Sequence, residues 1–250
     1  MFPPAYDDKV IHTEIPHPRK TVYSMYIKRV LDVVLSGTAI VVLSPLLLLL
    51  CILELIFHGR PIFYVDHRPG LNGKIFGLYK FRSMSNECDE NGELLHPSLR
   101  ITPFGRILRR TSLDELAGLF NIFNGTMSII GPRPLMEVYL PLYSERHKYR
   151  HAVRPGLACW KVGGSNQITS ATWTWNAQFE SDIYYVEHVS FLLDVWMVLK
   201  TVAVVFSKSE MRTNSDRIRF DGKNLLETRP RHEIIEAMER EQREKQENNG

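Results

Sequence analysis

Residues 33–53, VVLSGTAIVVLSPLLLLLCIL, contain no charged side chain. About 20 helical residues suffice to cross a bilayer, so the simplest reading is one transmembrane helix. The Ser-Pro pair at the centre argues against it. Pro45 removes a backbone N–H and clashes with the carbonyl one turn back, which bends or breaks a helix. Ser44 can return a hydrogen bond to the carbonyl so freed. The flanking charges make a second argument. Lys28 and Arg29 precede the block; Arg60, Arg68, Lys74, Lys80 and Arg82 follow it. Basic residues mark the cytoplasmic side, so both flanks are expected on one face. A re-entrant helix–break–helix over 23–57 meets that condition, whereas a straight span does not; a straight span and a buried helix of a soluble protein are the alternatives. Asp32 and Glu54, near the two ends, are expected at the same interface.

The rest of the 250-residue chain is enough for one soluble domain with a core. A net charge of +3 is mildly basic and does not point to nucleic acid, while basic residues flanking an apolar block suit an anionic membrane surface or phosphate ligands. Cys51, Cys88 and Cys159 form no CxxC pair and no metal spacing, as in a reduced, cytoplasm-facing protein, and Cys51 is expected to pack. The apolar block follows a polar lead bearing Pro3, Pro4, Pro16 and Pro18, and no small-x-small cleavage site follows it, which is unlike a signal peptide.

The expected organisation is a flexible lead over 1–22, the membrane element over 23–57, a catalytic domain with interfacial helices over 58–207 and a charged extension over 208–250. PIFYVDHRPG (61–70) and GKIFGLYKFRSM (73–84) read as a β-hairpin, and the polar stretch 85–98 as loop. Residues 102–123 read as helix divided at RRTS, with Ser112 as the N-cap of the second part and Asp114 and Glu115 in its first turn. A loop with a short extended piece follows over 124–135, then a helix over 136–153 containing Pro141, a loop over 154–168, and helices over 174–190 and 191–207. The fold class is α+β, mostly helical, with a small β-hairpin.

The chemistry concentrates between residues 100 and 135. Asp114 and Glu115 are adjacent, so on a helix they point about 100° apart and can do different jobs. Arg106, Arg109 and Arg110 lie upstream; Arg133 lies downstream between Pro132 and Pro134, whose fixed backbone lowers the entropic penalty of holding the Arg head. Carboxylates among arginines beside a membrane fit phosphate chemistry, because Arg forks match phosphate oxygens. Mg²⁺ needs only one or two protein carboxylates, with phosphate and water supplying the rest. A capping box with surface ion pairs is the structural alternative.

The quoted residues have a family resemblance. KRVLDVVLS with SPLLLLL, GRPIFYVDHRPGLNGKIFGLYKFRSM, RITPFGRILRRTSLDEL, NIFNGTMSIIGPRPL, YLPLYSERHKYRHAVRPGL and DIYYVEHVSFLLDVWMVLKTV follow one another between residue 28 and residue 202. In this order they resemble the bacterial sugar transferases, the small monotopic phosphoglycosyl transferases. The resemblance implies transfer of a sugar 1-phosphate from a UDP-sugar to polyprenyl phosphate, giving UMP and a polyprenyl diphosphate sugar. Such a reaction initiates exopolysaccharide or other glycan assembly at the bacterial inner membrane, from the cytoplasmic side. Carried over, Asp114 is the nucleophile that takes the phosphosugar covalently, and Glu115 is its partner. The two carboxylates would hold Mg²⁺, and Arg109 and Arg133 would hold phosphate. Ser44 and Pro45 match the family's membrane break. Lys80, Arg82 and Arg154 are further candidates for phosphate contact. A homodimer and downstream glycosyltransferases are the implied partners.

The chain departs from the family pattern at Asp66, usually Gln; at Thr126, usually Asp; at LAGL over 116–119, usually LPQL; at HPSLR before RIT, where an acidic residue often stands; and at the shortened loop GLACWKVGGSN over 156–166, which lacks an Arg near Ser165. The last departure motivates a second reading, a catalytically reduced member that scaffolds an assembly complex through its charged tail. His147 and His151, four apart, read as packing or phosphate contact rather than a metal pair. Gly163-Gly164 reads as a tight turn. Trp160, Trp173 and Trp175 suit either uracil stacking or the membrane interface.

Overall fold

The computed structural model describes residues 11–159, 174–206, 220–223 and 225. Among the described residues the fold is mostly helical with two small sheets. Helix α1 (Lys28–Val42), preceded by a π-helical turn, meets α2 (Ser44–Phe57) at Leu43, whose φ of −88° and ψ of 3° leave the helical region. The two arms are bent by 65°. Pro45 has no N–H to donate to the carbonyl of Val41; the Ser44 hydroxyl donates to it instead, at 2.7 Å. The expected break is therefore present, with its replacement hydrogen bond. Among the described residues no single helix is long and apolar enough to cross a membrane, but the bent pair passes that test jointly.

One face of the pair packs on the domain and the other is bare. Leu47 and Leu50 are buried, while Val34, Leu35, Val41, Val42, Leu48, Leu49, Ile52 and Ile56 are exposed. So large a contiguous apolar surface calls for a lipid or protein cover. Both arms are tied to the same domain by polar contacts. Asp32 accepts from the Ser128 hydroxyl at 3.1 Å and the Ile129 amide at 2.9 Å. Glu54 pairs with His58 Nδ1 at 2.8 Å, and His58 Nε2 meets Thr102 Oγ1 at 2.8 Å. Asp32 and Glu54 thus lie buried against the domain rather than at an open interface.

Strands β1 (Phe63–Pro69) and β2 (Ile75–Phe81) form the expected antiparallel hairpin. After a short helix α3 (Pro97–Arg100), α4 (Pro103–Thr111) starts at Thr102, whose side chain caps the Gly105 amide at 2.9 Å. A Cβ on Gly105 would lie 2.0 Å from the Ser83 carbonyl, so only glycine lets α4 approach this closely. Ser112, with φ 57°, is at once the left-handed C-cap of α4 and the N-cap of the following turn, as expected, with Asp114 and Glu115 in that turn. It caps the turn without a side-chain hydrogen bond, and the turn is a single 3-10 turn, Leu113–Glu115, rather than the start of one continuous helix before α5 (Gly118–Asn124).

The chain then pairs β3 (Ser128–Ile130) in parallel with β4 (Gly156–Ala158), inside a stretch expected to be loop. Three residues are too few to show an alternation. The expected helix over 136–153 is three pieces: a 3-10 run Glu137–Leu142 containing Pro141, α6 (Glu145–Lys148) capped by Ser144, and a second 3-10 run Tyr149–Ala152. Helices α7 (Trp175–His188) and α8 (Phe191–Phe206) follow as expected. The described part of the lead is held rather than loose: the Arg19 amide donates to the Val186 carbonyl, and Arg146 to the Glu14 carbonyl. Part of the extension is also folded, since Phe220 is buried with Tyr139, Tyr143, Trp175 and Phe179. Trp175 is therefore core; Trp160, Trp173, Gly163 and Gly164 lie outside the described residues.

His147 and His151 are both buried. Among the described residues no group of three or more His, Cys, Asp or Glu is arranged to hold a metal. Burial, with Arg146 and Arg150 nearby and Glu180 opposing, pushes His147 down to about 4; burial and Arg150 push His151 down to about 4 as well. An unfolded histidine titrates near ~6.5. Between those values the unfolded chain binds protons that the folded chain refuses. Stability is then complete above pH ~6.5 and falls as pH drops toward 4, by about 1–2 kcal/mol per histidine at pH 5. Thermal unfolding is expected to move down by several degrees between pH 7.5 and 5, less so in His147→Asn; a flat profile would contradict neutral burial.

Candidate active site

The dyad sits where the hairpin arm meets the domain. Leu113, on the dyad's own turn, packs with Leu116 against a cluster of Leu47, Leu50, Phe81, Leu108 and Ala117. The apolar arm α2 thus supports the turn that presents Asp114 and Glu115. Strand alternation does the rest: β1 and β2 pair Tyr64 with Lys80 and Asp66 with Leu78, which puts Asp66, Arg68 and Lys80 on one face.

The carboxylates are ringed by cations. Arg133 Nη2 donates to Glu115 Oε1 at 2.9 Å, with about a quarter of each side chain exposed. Arg109 donates from Nε to the buried Ser83 hydroxyl at 2.8 Å, which fixes its stem while its charge acts on Asp114. Lys80 acts on both carboxylates, lies 3.9 Å from Asp66, and has the Arg133 and Arg68 charges near it. Arg68 is ion-paired with Asp66. Burial, then the Glu115 carboxylate, pushes the Asp114 carboxyl above its usual range, with Lys80 and Arg109 pulling it back. Burial, then Arg133, lowers the Lys80 ammonium. These opposed shifts, in groups packed together, are the electrostatic mark of a functional site.

Two expected residues are elsewhere. Arg82 donates to the carbonyls of His58 and Pro61 at 3.0 and 3.3 Å, bracing the exit of α2. Arg154 donates to the Gly125 carbonyl at 2.9 Å, beside Arg29, which caps the C-terminal carbonyls of α5. Both hold backbone, and neither joins the dyad's ring of partners. Conversely, Asp66, Arg68 and Cys159, whose thiol faces Arg133, belong to the site and were absent from the expected set. A strand register would have predicted Asp66 and Arg68, but the sequence does not reveal one. Thr126 is structural: it exchanges hydrogen bonds with Asn121 and Asn124 in the turn after α5.

The donor set fits a magnesium ion. Two adjacent carboxylates, Asp114 and Glu115, are enough when phosphate and water complete six ligands.

A mostly helical domain carrying an apolar bent pair and a carboxylate dyad among cations suits an enzyme that handles phosphate groups. The bacterial sugar transferase family matches residues 23–208, and the chain belongs to that family. It is 40% identical over 192 residues to the uncharacterized sugar transferase EpsL of Bacillus subtilis, covering 76% of this chain and 93% of that protein. It is 36% identical over 196 residues to the exopolysaccharide production protein ExoY of Sinorhizobium fredii, covering 71% and 84%. It is 32% identical over 187 residues to the UDP-N-acetylgalactosamine-undecaprenyl-phosphate N-acetylgalactosaminephosphotransferase of Aeromonas hydrophila, covering 73% of this chain and 44% of that longer protein.

Proposed function

We propose that this chain transfers a sugar 1-phosphate from a UDP-sugar to polyprenyl phosphate at a membrane surface, initiating exopolysaccharide assembly. The coarse reaction is supported by the printed names of its relatives, which are sugar transferases, a polysaccharide production protein and an undecaprenyl-phosphate sugar phosphotransferase. The observation that carries the finer reading is Asp114 held among Lys80, Arg109 and Glu115, on a turn packed against the bent pair.

In this reading an Asp114 oxygen attacks the β-phosphorus of the UDP-sugar. The bond from that phosphorus to the bridging oxygen breaks, and UMP leaves with the electron pair. A polyprenyl phosphate oxygen then attacks the same phosphorus, releasing the Asp114 carboxylate and forming the polyprenyl diphosphate sugar. A covalent intermediate lets two large anions use one site in turn. Arg133, Arg109 and Lys80 bind phosphate oxygens, and their charges favour the ionised Asp114 that attack requires. Asp114 and Glu115 would hold Mg²⁺, which would offset the diphosphate charge. A re-entrant pair on the cytoplasmic face sets the dyad at the headgroup level, where the lipid phosphate lies. Enzymes that extend the lipid-linked sugar are the expected consumers of the product.

A panel of UDP-sugars with polyprenyl phosphate and Mg²⁺, scored by UMP release, tests this reading. Turnover with at least one donor is expected; silence with every donor favours the scaffold reading. Arg133→Ala is expected to lose about 1.5–3 kcal/mol of transition-state binding, roughly tenfold to a hundredfold in kcat/KM, as for a charged hydrogen bond to phosphate. Unchanged turnover would remove Arg133 from the site.

A further inference from the structure

Arg150 is 2% exposed and Asp182 is fully buried. Arg150 Nε and Nη2 both donate to Asp182 Oδ2, at 3.0 and 2.6 Å, and Nη1 donates to the Tyr143 hydroxyl at 3.2 Å. Gln178 Nε2 donates to the other Asp182 oxygen at 3.2 Å. Such a buried pair commonly adds little stability beyond what apolar side chains of the same volume supply. Its geometry offers another role. Arg150 Nη2 also donates to the backbone carbonyl of Arg133, at 2.7 Å. The guanidinium of that same Arg133 reaches Glu115 at 2.9 Å. The neighbouring backbone is held from the other side: the Gly156 amide donates to the Pro132 carbonyl at 3.0 Å, and the Gly131 amide to the Ala158 carbonyl at 3.1 Å.

We propose that Arg150, oriented by Asp182, is a positioning residue for catalysis: it fixes the Pro132–Arg133–Pro134 backbone so that the Arg133 guanidinium meets Glu115 and the substrate's phosphate. The inference rests on the phosphoglycosyl transfer reading. Arg150 touches no substrate. It acts through a backbone carbonyl, so its removal displaces the Arg133 head while leaving that side chain present. The two flanking prolines make the segment stiff, and a stiff segment passes a shift at its anchor on to the side chain it carries. Misplacement of a binding group by about 1 Å can lower a rate by up to a hundredfold.

The test is a double-mutant cycle on the full-length, membrane-reconstituted protein, scored by UMP release. Arg150→Lys keeps the charge, but one ammonium cannot both fork Asp182 and reach the Arg133 carbonyl. It is expected to lower kcat at least about tenfold, with KM for the UDP-sugar changing less. In an Arg133→Ala background the same substitution is expected to have under about a twofold effect, because the guanidinium it positions is gone. A purely structural role predicts the same factor in both backgrounds, and that result overturns the proposal. Should Arg150→Lys not fold, Arg150→Met with Asp182→Leu leaves no unpaired buried charge. That pair is expected to keep its Tm and lose activity to the same degree; full activity in it also overturns the proposal. Hydrogen exchange gives a readout without turnover: the Gly131 and Gly156 amides, hydrogen-bonded to Ala158 and Pro132, are expected to exchange about tenfold faster in either variant, with 63–81 unchanged. If no donor is turned over, the functional reading fails, while unchanged exchange at Gly131 and Gly156 separately rejects the Arg150 bracket.

Discussion

Asp114→Asn is expected to lower UMP release at least about 10³-fold while Tm stays the same or rises. The two effects have separate causes. An amide oxygen of the same shape is a poor nucleophile, so the step that forms the phosphosugar ester is lost. Burial and the adjacent Glu115 already push the Asp114 carboxyl up, which means the folded protein pays to keep a charge there. A neutral Asn removes that penalty and the repulsion from Glu115. Functional carboxylates held against their solvation preference behave this way. The same variant gives a chemical test. With UDP-sugar and no lipid acceptor, the unsubstituted protein is expected to accumulate a phosphosugar on the peptide containing Asp114, and Asp114→Asn to accumulate none. Modification found on Glu115 would exchange the roles of the two carboxylates. Modification on neither, with turnover intact, would remove the covalent mechanism.

The parts of this fold that were legible in the sequence share a property: a single local rule decides them. Pro45 cannot donate to Val41, and the break follows. The hairpin over 63–81 is written in two short runs rich in aromatic and β-branched residues and in the turn at Leu71–Gly73 between them. Asp114, Glu115 and Arg133 stand out in the sequence as carboxylates among arginines, but spacing alone leaves a capping box with surface ion pairs open, and their expected roles come from the family resemblance. What escaped depends on distant partners. Ser112 holds the N-cap position it was expected to hold, but the chain also turns there to set Leu113 into the cluster with Leu47 and Leu108, so Ser112 adopts φ 57°, closes α4 as well, and is followed by one 3-10 turn rather than a long helix. Arg82 and Arg154 look like phosphate ligands until the carbonyls they hold are seen. Asp66 and Arg68 look like surface charges until the register turns them toward Lys80. Arg150 has an Asp182 partner 32 residues away and a carbonyl acceptor 17 residues away. No periodicity encodes either contact.

Replacing Ser44 and Pro45 together with leucine tests what sets the topology. A straightened 33–53 would be about 32 Å long, matching a hydrocarbon core of about 30 Å. In the finished protein the bend has competitors in its favour: Asp32 on Ser128 and Ile129, and Glu54 with His58 on Thr102, each a charged or buried contact of roughly 1.5–3 kcal/mol. Their sum equals or exceeds the ~3 kcal/mol by which an internal proline disfavours a continuous helix. Energetics of the folded state alone would therefore keep the hairpin bent. Order of events points the other way. Residues 23–57 emerge from the ribosome before Thr102, Ser128 and Ile129 do, and domains fold as units. When the segment first meets lipid, only its own sequence opposes a straight span. The expected result of Ser44→Leu with Pro45→Leu is a spanning chain whose domain lies on the face opposite the UDP-sugar, with UMP release lowered at least about tenfold. Cysteines at Tyr26→Cys and Arg60→Cys, both exposed positions, report the outcome once Cys51 and Cys88 are replaced by alanine and Cys159 by serine, with turnover scored against that cysteine-replaced parent. The parent is expected to label at both sites from one side, and the double-leucine variant from opposite sides. If both sites still label from one side with turnover intact, the anchors at Asp32 and Glu54 govern topology, and the break is a consequence of the fold rather than its cause.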